Sequence, residues 1–224
     1  MKGKIFRVLF ICIGGLMMGC NRGEEKLTSL SEKARIYILR DFLSEKECEH
    51  LIALGEPTLK PSTVVDDHIV NGRLDQARRS RGTFLTNHGH DPIVVDIENR
   101  IAELTHTPKE NGESFQILHY QPGGEYKPHY DTFDPETVGG KNCFDRGGQR
   151  VATVILYLNS TEVGGETIFP NVDIAVTPKK GDAVLFYNLS EEGQIDKNSL
   201  HGGAPVLKGE KWIATKWIRE GEFR

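Results

Sequence analysis

The residue pattern with the clearest chemical meaning is His129-Tyr130-Asp131. It lies in a segment that we predict to be a β-strand, where side chains two residues apart point to the same face. The imidazole of His129 and the carboxylate of Asp131 can therefore reach one ion together, with Tyr130 turned away. A third ligand must come from elsewhere in the chain, and the best candidate is His201, close before another predicted strand.

Two histidines and one carboxylate form the ligand set of non-haem iron(II) oxygenases, which leaves coordination positions open for cosubstrate and oxygen. A structural zinc site more often has four Cys or His ligands. An isolated His-x-Asp triplet, however, is more often a pair of solvated strand residues, and a single His beside glycines is usually a turn residue. The weaker candidate ligands are the remaining histidines, His50, His68, His88, His90, His106 and His119.

Short apolar runs separated by Gly- and Pro-containing turns dominate the chain after residue 112. β-Branched and aromatic residues give these runs the character of strands. Eight such runs in roughly a hundred residues are typical of a β-sandwich or jelly roll. The predicted strands are 114–120, 126–131, 150–158, 166–169, 172–177, 182–187, 204–207 and 212–218.

Two helices are predicted before the strands. Ser44 and Glu47 form a capping box that predicts a helix over 45–54. Asp91 followed by Pro92 begins a second helix, predicted over 92–104. The polar and basic segment between the two helices, 60–82, predicts a mobile loop.

Length and composition indicate one globular domain with a short leader. The chain has 224 residues, 38% hydrophobic and 27% charged, which is neither disordered nor low-complexity. Its formal net charge of -4 argues against a general nucleic-acid binder, which would be basic. The sequence contains no dinucleotide-binding Gly motif in strand–helix context, no phosphate-binding P-loop and no serine nucleophile elbow.

The region around these candidate ligands resembles the prolyl 4-hydroxylases, a branch of the iron(II)/2-oxoglutarate-dependent dioxygenases. The resemblance covers most of 37–219, is densest from 114 to 219, and keeps the His-x-Asp, the distant His and a Lys in the family's order. It implies an α+β protein with a double-stranded β-helix (jelly roll) core, N-terminal supporting helices, and iron between two sheets. The matching blocks are 118–131, 147–153, 164–170, 179–183 and 201–212.

The resemblance implies roles for individual residues. His129, Asp131 and His201 are expected to bind iron, and Lys211 to pair with the distal carboxylate of 2-oxoglutarate. This agrees with the chemistry, because a dicarboxylate that enters a low-dielectric barrel needs a cation and hydrogen-bond donors at its far end. A solvated lysine at a strand end is the alternative interpretation of Lys211.

Further positions match the family near the cosubstrate and near the substrate opening. The hydroxyls of Tyr120 and Thr167 are expected to assist Lys211. For several of these side chains, packing in the core or a solvated charged surface is the alternative interpretation. The positions expected near the substrate opening are Arg79, Tyr126, Arg150 and Trp217.

The implied activity is hydroxylation of peptidyl proline, with O2 as oxidant and 2-oxoglutarate decarboxylated to succinate and CO2. Ascorbate is implied as a reductant by the resemblance alone. The expected partner is a proline-containing peptide or protein, and no nucleic acid. Two alternatives remain open: the same chemistry on a free amino acid or a different side chain, and a non-catalytic barrel of a lipoprotein used for binding. The complete set of three iron ligands and Lys211 argues against the second.

Residues 1–20 predict a signal peptide or a lipoprotein leader. A basic start precedes an uncharged apolar run, 8–18, too short to span a bilayer, which takes roughly 20 apolar residues. Gly19-Cys20 resembles the end of a bacterial lipobox, although Met17 stands where Leu is usual. Lipidated Cys20 would attach the protein to a membrane. Ordinary signal cleavage and an uncleaved short anchor are the alternatives.

We therefore expect an exported protein, periplasmic or membrane-anchored if bacterial and secretory if eukaryotic. The polar segment 21–34 is predicted to be a tether, and 35–224 the dioxygenase domain with its catalytic core at about 114–219. Two cysteines in this domain, Cys48 and Cys143, are too few for a disulfide framework.

Overall fold

Two antiparallel sheets, two long helices and one short helix build the fold in the computed structural model, which describes residues 27–31, 33–64 and 73–224. The predicted leader, 1–20, and Cys20 lie outside the described residues. The helices are α1 (Glu45–Gly55), α2 (Pro92–Thr105) and α3 (Val138–Phe144). The strands are β1 (Leu27–Ser29), β2 (Ile36–Leu39), β3 (Lys60–Pro61), β4 (Thr63–Val64), β5 (Arg73–Leu74), β6 (Arg81–Phe84), β7 (Gln116–Tyr120), β8 (Tyr126–His129), β9 (Arg150–Tyr157), β10 (Val163–Gly164), β11 (Thr167–Phe169), β12 (Ile174–Val176), β13 (Ala183–Tyr187), β14 (His201–Gly203), β15 (Val206–Lys208) and β16 (Lys211–Arg219).

The larger sheet has eight strands in the order β1-β2-β13-β9-β16-β7-β6-β3, and the smaller has four in the order β12-β11-β14-β8. Neighbours in the chain are often not neighbours in the sheet, so the strands cross between the two layers as in a jelly roll. Two short ribbons, β10 with β15 and β4 with β5, complete the pairing. The fold is the predicted double-stranded β-helix.

Alternation of side chains along the central strands divides the core into two layers. On β7, Ile117 packs toward the helices, whereas Leu118 and Tyr120 pack toward the smaller sheet. On β16, Trp212 and Ala214 belong to the helix-side layer. The remaining face of the larger sheet, together with the smaller sheet, encloses the interior of the barrel.

Both predicted helices are confirmed, together with their N-terminal caps. Ser44 Oγ accepts a hydrogen bond from the backbone N–H of Glu47, and the Glu47 carboxylate accepts one from the backbone N–H of Ser44. The carboxylate of Asp91 caps α2 by accepting from two backbone N–H groups in its first turn. The apolar faces of α1 and α2 are buried against the larger sheet through Leu51 and Ile97.

Each of the eight predicted strands has a counterpart within a few residues, but several elements of the structure were not predicted from the sequence. They include β2, β14 and α3. The last of these contains two glycines, which are poor helix formers, and begins with a Thr137 hydroxyl that accepts from the Gly140 N–H. The segment 21–34, predicted as a tether, contributes β1, which pairs with β2.

The predicted loop 60–82 also needs correction. Its ends form β3 and β6 at the edge of the larger sheet, where polar side chains can remain in solvent while the backbone pairs. In the described part of the chain, no helix is long and apolar enough to cross a membrane.

Candidate metal centre and active site

Neighbouring strands of the smaller sheet and the bend that follows β8 bring the three predicted metal ligands together. The strand predicted over 126–131 ends at His129, so Asp131 lies in that bend and not on the strand. His129 ends β8, His201 begins β14, and the two are register partners. The distance from His129 Nε2 to Asp131 Oδ1 is 3.6 Å, and that from His201 Nε2 to Asp131 Oδ2 is also 3.6 Å. The ligand atoms lie within 4.8 Å of one another, and no second such group occurs among the residues that the structure describes.

Backbone carbonyl groups orient both imidazole rings. Nδ1 of His129 lies 2.9 Å from the Lys127 oxygen, and Nδ1 of His201 lies 2.9 Å from the Ser199 oxygen. Because a carbonyl oxygen can only accept, each Nδ1 carries a proton, and in the neutral ring Nε2 is then the nitrogen with the lone pair. Both lone pairs therefore belong to the nitrogens that face the carboxylate.

Burial and neighbouring charges set the protonation state of this centre. Burial by itself raises the pKa of Asp131, but His201 and His129 hold that pKa well below its usual range, so the carboxylate is ionised. Burial lowers the pKa of His201 to about 4, which leaves its imidazole neutral at neutral pH. The centre thus offers a neutral nitrogen donor on His201 and an anionic oxygen donor on Asp131.

Two cavities meet at this centre. The smaller is lined by buried side chains that include Tyr120, Thr167 and Lys211. The larger has a volume of about 590 Å³ and opens to solvent beside Phe84 and Tyr130, which are both exposed. The residues that line both cavities are Arg78, Tyr126, His129, Asp131 and Trp217.

Lys211 is a buried cation in the lining of the smaller cavity. Its side chain is 3% exposed, and no ion pair or hydrogen bond joins its Nζ to another described residue. Burial lowers the pKa of Lys211 to about 8, against a smaller raising effect of Glu166. A buried, uncompensated charge is unfavourable, so this position is suited to an anionic ligand.

Thr167 and Tyr120 line the same cavity as Lys211. The Tyr157 hydroxyl donates to Thr167 Oγ1 over 2.7 Å, which leaves the Thr167 proton available to a ligand. Tyr120 is buried, and burial raises its pKa although Arg78 and Ser80 oppose the shift. Tyr157 was not identified from the sequence, because a buried aromatic residue on a central strand is typical of core packing.

Arg150 and Trp217 line the larger cavity. Trp217 also contacts the metal-ligand residue Asp131, and Arg150 contacts Trp217. Trp217 Nε1 donates to Asp131 Oδ2 over 2.9 Å. The Arg150 guanidinium stacks 3.8 Å from the Trp217 ring centre and donates two hydrogen bonds, of 2.6 and 2.9 Å, to Glu113. Tyr126 stacks on the His129 ring at 3.6 Å between centroids.

Arg79 is the predicted site residue that the structure does not bring into the larger cavity. It is exposed and forms an ion pair of 3.0 Å with Glu125. Its neighbour Arg78 is buried instead, donates to Gln116 Oε1 over 2.9 Å, and lies 4.8 Å from the Tyr126 ring centre. Adjacent residues in extended backbone point to opposite sides, and the bridge between Arg78 and Tyr126 fixes which of the two arginines faces inward.

Comparison with known proteins identifies the family of this chain. Residues 115–219 match the 2OG-Fe(II) oxygenase superfamily. Prolyl 4-hydroxylase 5 of Arabidopsis thaliana is 43% identical, covering 90% of this chain and 74% of the relative. Prolyl 4-hydroxylase 1 of the same plant is 46% identical over 88% of this chain and 73% of the relative.

Solved structures show the same fold. The viral collagen prolyl hydroxylase of Paramecium bursaria Chlorella virus-1, determined as a 2OG complex, matches with a TM-score of 0.65 and 29% identity. The match covers 85% of this chain and 99% of the viral one. A prolyl-4-hydroxylase of Pseudomonas putida shares the fold with a TM-score of 0.56 at 20% identity, covering 83% of this chain and 92% of that one.

Fold and site together define a 2-oxoglutarate-dependent dioxygenase with a jelly-roll core. Within that class, the chain belongs to the prolyl 4-hydroxylase family. The family implies Fe(II) and 2-oxoglutarate, and the residues fit both. Two imidazole nitrogens and one carboxylate are the donor set of non-haem iron oxygenases, and the cation of Lys211 in the adjoining cavity suits a dicarboxylate.

Proposed function

We propose that this protein hydroxylates proline residues of a peptide or protein substrate, and converts 2-oxoglutarate to succinate and CO2 in the same reaction. One observation carries the proposal. The triad of His129, Asp131 and His201 lies where a small cavity with an unpaired Lys211 meets an open groove of about 590 Å³. A small dianion and a chain-like substrate can therefore approach the same centre from different sides.

In this proposal each residue of the smaller cavity has a role. His129, Asp131 and His201 would hold the iron, which, when bound, supplies the oxidising chemistry with 2-oxoglutarate and O2. Lys211 binds the distal carboxylate of 2-oxoglutarate as a charge-assisted partner. The apolar side chains of Leu118, Ile155 and Ile213 line the same cavity and exclude water from it.

The larger cavity supports a peptide rather than a free amino acid. It opens to solvent and carries aromatic surfaces from Phe84, Tyr126, Tyr130 and Trp217. Aromatic rings in an open groove contact a ring such as that of proline through broad apolar surfaces. A free amino acid would fill only part of this groove. The relatives that are named prolyl 4-hydroxylases add support for proline as the reacting residue.

The test is turnover with defined peptides. The purified protein is incubated with Fe(II), 2-oxoglutarate and a set of proline-containing peptides, and succinate release is measured with the peptide mass. We expect a gain of one oxygen atom per peptide and an equal amount of succinate. Peptides with Ala in place of Pro, and free proline, are the controls. Turnover of either control would favour the alternative substrates, and no succinate with any substrate would favour a binding function.

Two further expectations belong to the same proposal. Ascorbate would restore activity after turnovers that leave the iron oxidised, which the family resemblance supports. Export with lipid attached to Cys20 is supported by the basic and apolar composition of the leader. Recovery of lost activity on addition of ascorbate, but not of another weak acid, would test the first. The second is tested by the Cys20 variant described below.

A further inference from the structure

A line of hydrogen bonds leads from the residue after β13 to Asp131. Asn188 Nδ2 donates to Thr153 Oγ1 over 3.0 Å, and Thr153 Oγ1 donates to Asp131 Oδ2 over 2.8 Å. Trp217 Nε1 donates to the same carboxylate oxygen. Asn188 and Thr153 are both 0% exposed, so water does not replace either bond.

The direction of these bonds follows from the chemistry of the groups. An ionised carboxylate only accepts, so Thr153 uses its single hydroxyl proton toward Asp131. Thr153 can then only accept from Asn188, which turns the amide nitrogen toward Thr153 and the amide oxygen away. No described residue donates to this buried Asn188 Oδ1. An unsatisfied buried oxygen is unfavourable. The amide nevertheless keeps this orientation, because only its nitrogen can donate to the Thr153 hydroxyl.

We infer that Asn188 is a positioning residue that acts on Asp131 through Thr153. Thr153 and Trp217 keep Oδ2 occupied by protein donors, and Asn188 holds the Thr153 hydroxyl in place, so that the carboxylate is held rigidly with Oδ1 left for the metal. Groups that hydrogen-bond a metal ligand fix its orientation, and their loss typically weakens metal binding about 10- to 100-fold. The inference rests on the metal site proposed above and adds two residues to it, neither of which is among the ligands.

The test is a metal titration without substrate. Apoprotein is titrated with Co(II), which resembles Fe(II) in its ligand preferences and is stable in air, and the dissociation constant is measured by calorimetry. We expect Thr153→Val to weaken binding about 10-fold or more, and Thr153→Ser, which keeps the hydroxyl, to bind like the parent. Asn188→Leu should weaken binding by a smaller factor. Melting temperatures of the apoproteins, measured in parallel, show whether each variant is folded.

The double variant separates positioning from a general structural role. If Asn188 acts through Thr153, the Thr153→Val/Asn188→Leu protein should bind Co(II) no more weakly than Thr153→Val alone. Full addition of the two effects, or unchanged affinity in Thr153→Val, would overturn the inference. If Thr153→Val does not fold, the Co(II) affinity of Asn188→Leu is the deciding measurement. An affinity equal to that of the parent would then overturn the inference. If the Asp131→Ala protein binds Co(II) as well as the parent does, the metal site itself is refuted, and this inference with it.

Discussion

Lys211 and Tyr120 lie directly opposite each other on β16 and β7, with Lys211 Nζ 5.6 Å from the centre of the Tyr120 ring. The next pair along these strands, Trp212 and His119, points to the other face, where the two rings stack at 4.1 Å between centroids. One step along the strands therefore separates a cation in the interior from an aromatic pair beneath the helices. A shift of the strand register by one residue would bring the aromatic pair into the interior and the cation to the helix side.

Replacement of Lys211 by Met should weaken 2-oxoglutarate binding and leave metal binding unchanged. Loss of a buried, charge-assisted partner costs about 2–5 kcal/mol, so we expect the Michaelis constant for 2-oxoglutarate to rise tenfold or much more. Steady-state kinetics and Co(II) titration measure the two quantities. Lys208→Met is the matched control, because Lys208 is exposed and pairs with Glu162. An unchanged Michaelis constant in Lys211→Met would contradict the assignment.

The affinity for 2-oxoglutarate should fall as the pH rises through about 8. Burial lowers the pKa of Lys211 to about 8 from the ordinary 10.5, and only the protonated amine attracts the dianion. The Michaelis constant should be level below pH 8 and rise toward tenfold per pH unit above it. In Lys211→Met the constant should be high and independent of pH over this range. A pH dependence that survives this substitution would assign the effect to another group.

The lowered pKa of Lys211 also predicts that the apoprotein becomes more stable over the pH range in which its affinity for 2-oxoglutarate falls. Between pH 8 and 10.5 the folded chain has already released the Lys211 proton, whereas the unfolded chain still binds it. The contribution of Lys211 to the free energy of unfolding therefore increases over this range. Denaturant unfolding of the parent and of Lys211→Met at several pH values measures this contribution, which should vanish in the variant.

Asp131→Ala should abolish both metal binding and succinate formation. The substitution removes one of three ligand groups and leaves two imidazoles that bind divalent iron weakly by themselves. Metal content after dialysis and succinate release are the measurements, and folding is checked by the melting temperature. His90→Ala, which removes an exposed histidine, should behave like the parent. Undiminished succinate production by Asp131→Ala would exclude this site.

Phe84→Ala should raise the Michaelis constant for the peptide substrate but not that for 2-oxoglutarate. Phe84 is 46% exposed and lines the larger cavity, so its removal leaves the core intact. Loss of one aromatic contact costs about 0.5–1.5 kcal/mol, which corresponds to roughly a two- to tenfold effect. Leu207→Ala is the control, since Leu207 is also exposed but does not line this cavity. Equal effects of both variants would place the substrate elsewhere.

Cys20→Ser tests membrane attachment. If Cys20 carries lipid, the parent should fractionate with membranes and its mature mass should include the lipid, whereas the variant should be unlipidated and no longer anchored through residue 20. Cell fractionation and intact-mass measurement report both. Cys48→Ser is the matched control, because Cys48 is buried in the domain. A soluble parent with unmodified Cys20 would exclude the lipoprotein interpretation and leave the enzymatic proposal unaffected.

The sequence by itself determined the elements that local chemistry encodes. The capping box at Ser44 and the Asp91-Pro92 pair predicted the starts of α1 and α2, because caps act within one helical turn. The two-residue spacing of His129 and Asp131 predicted that both side chains reach one ion, and they do lie together, although Asp131 is in the bend after β8 and not on the strand. The residues alone offered His201 only as the best of several histidines, and the family resemblance then supported His201 and added Lys211, which no local rule connects to the pair.

Tertiary structure alone decided which of two adjacent arginines faces the cavity and what surrounds Asp131. The bridge to Tyr126 turns Arg78 inward and leaves Arg79 in solvent. Asn188 reaches Thr153 because β13 and β9 are neighbours in the larger sheet, and Thr153 in turn contacts Asp131, which follows β8 of the smaller sheet. Such contacts join residues far apart in sequence, and they depend on strand order and register, which result from the burial of whole faces and not from any local pattern.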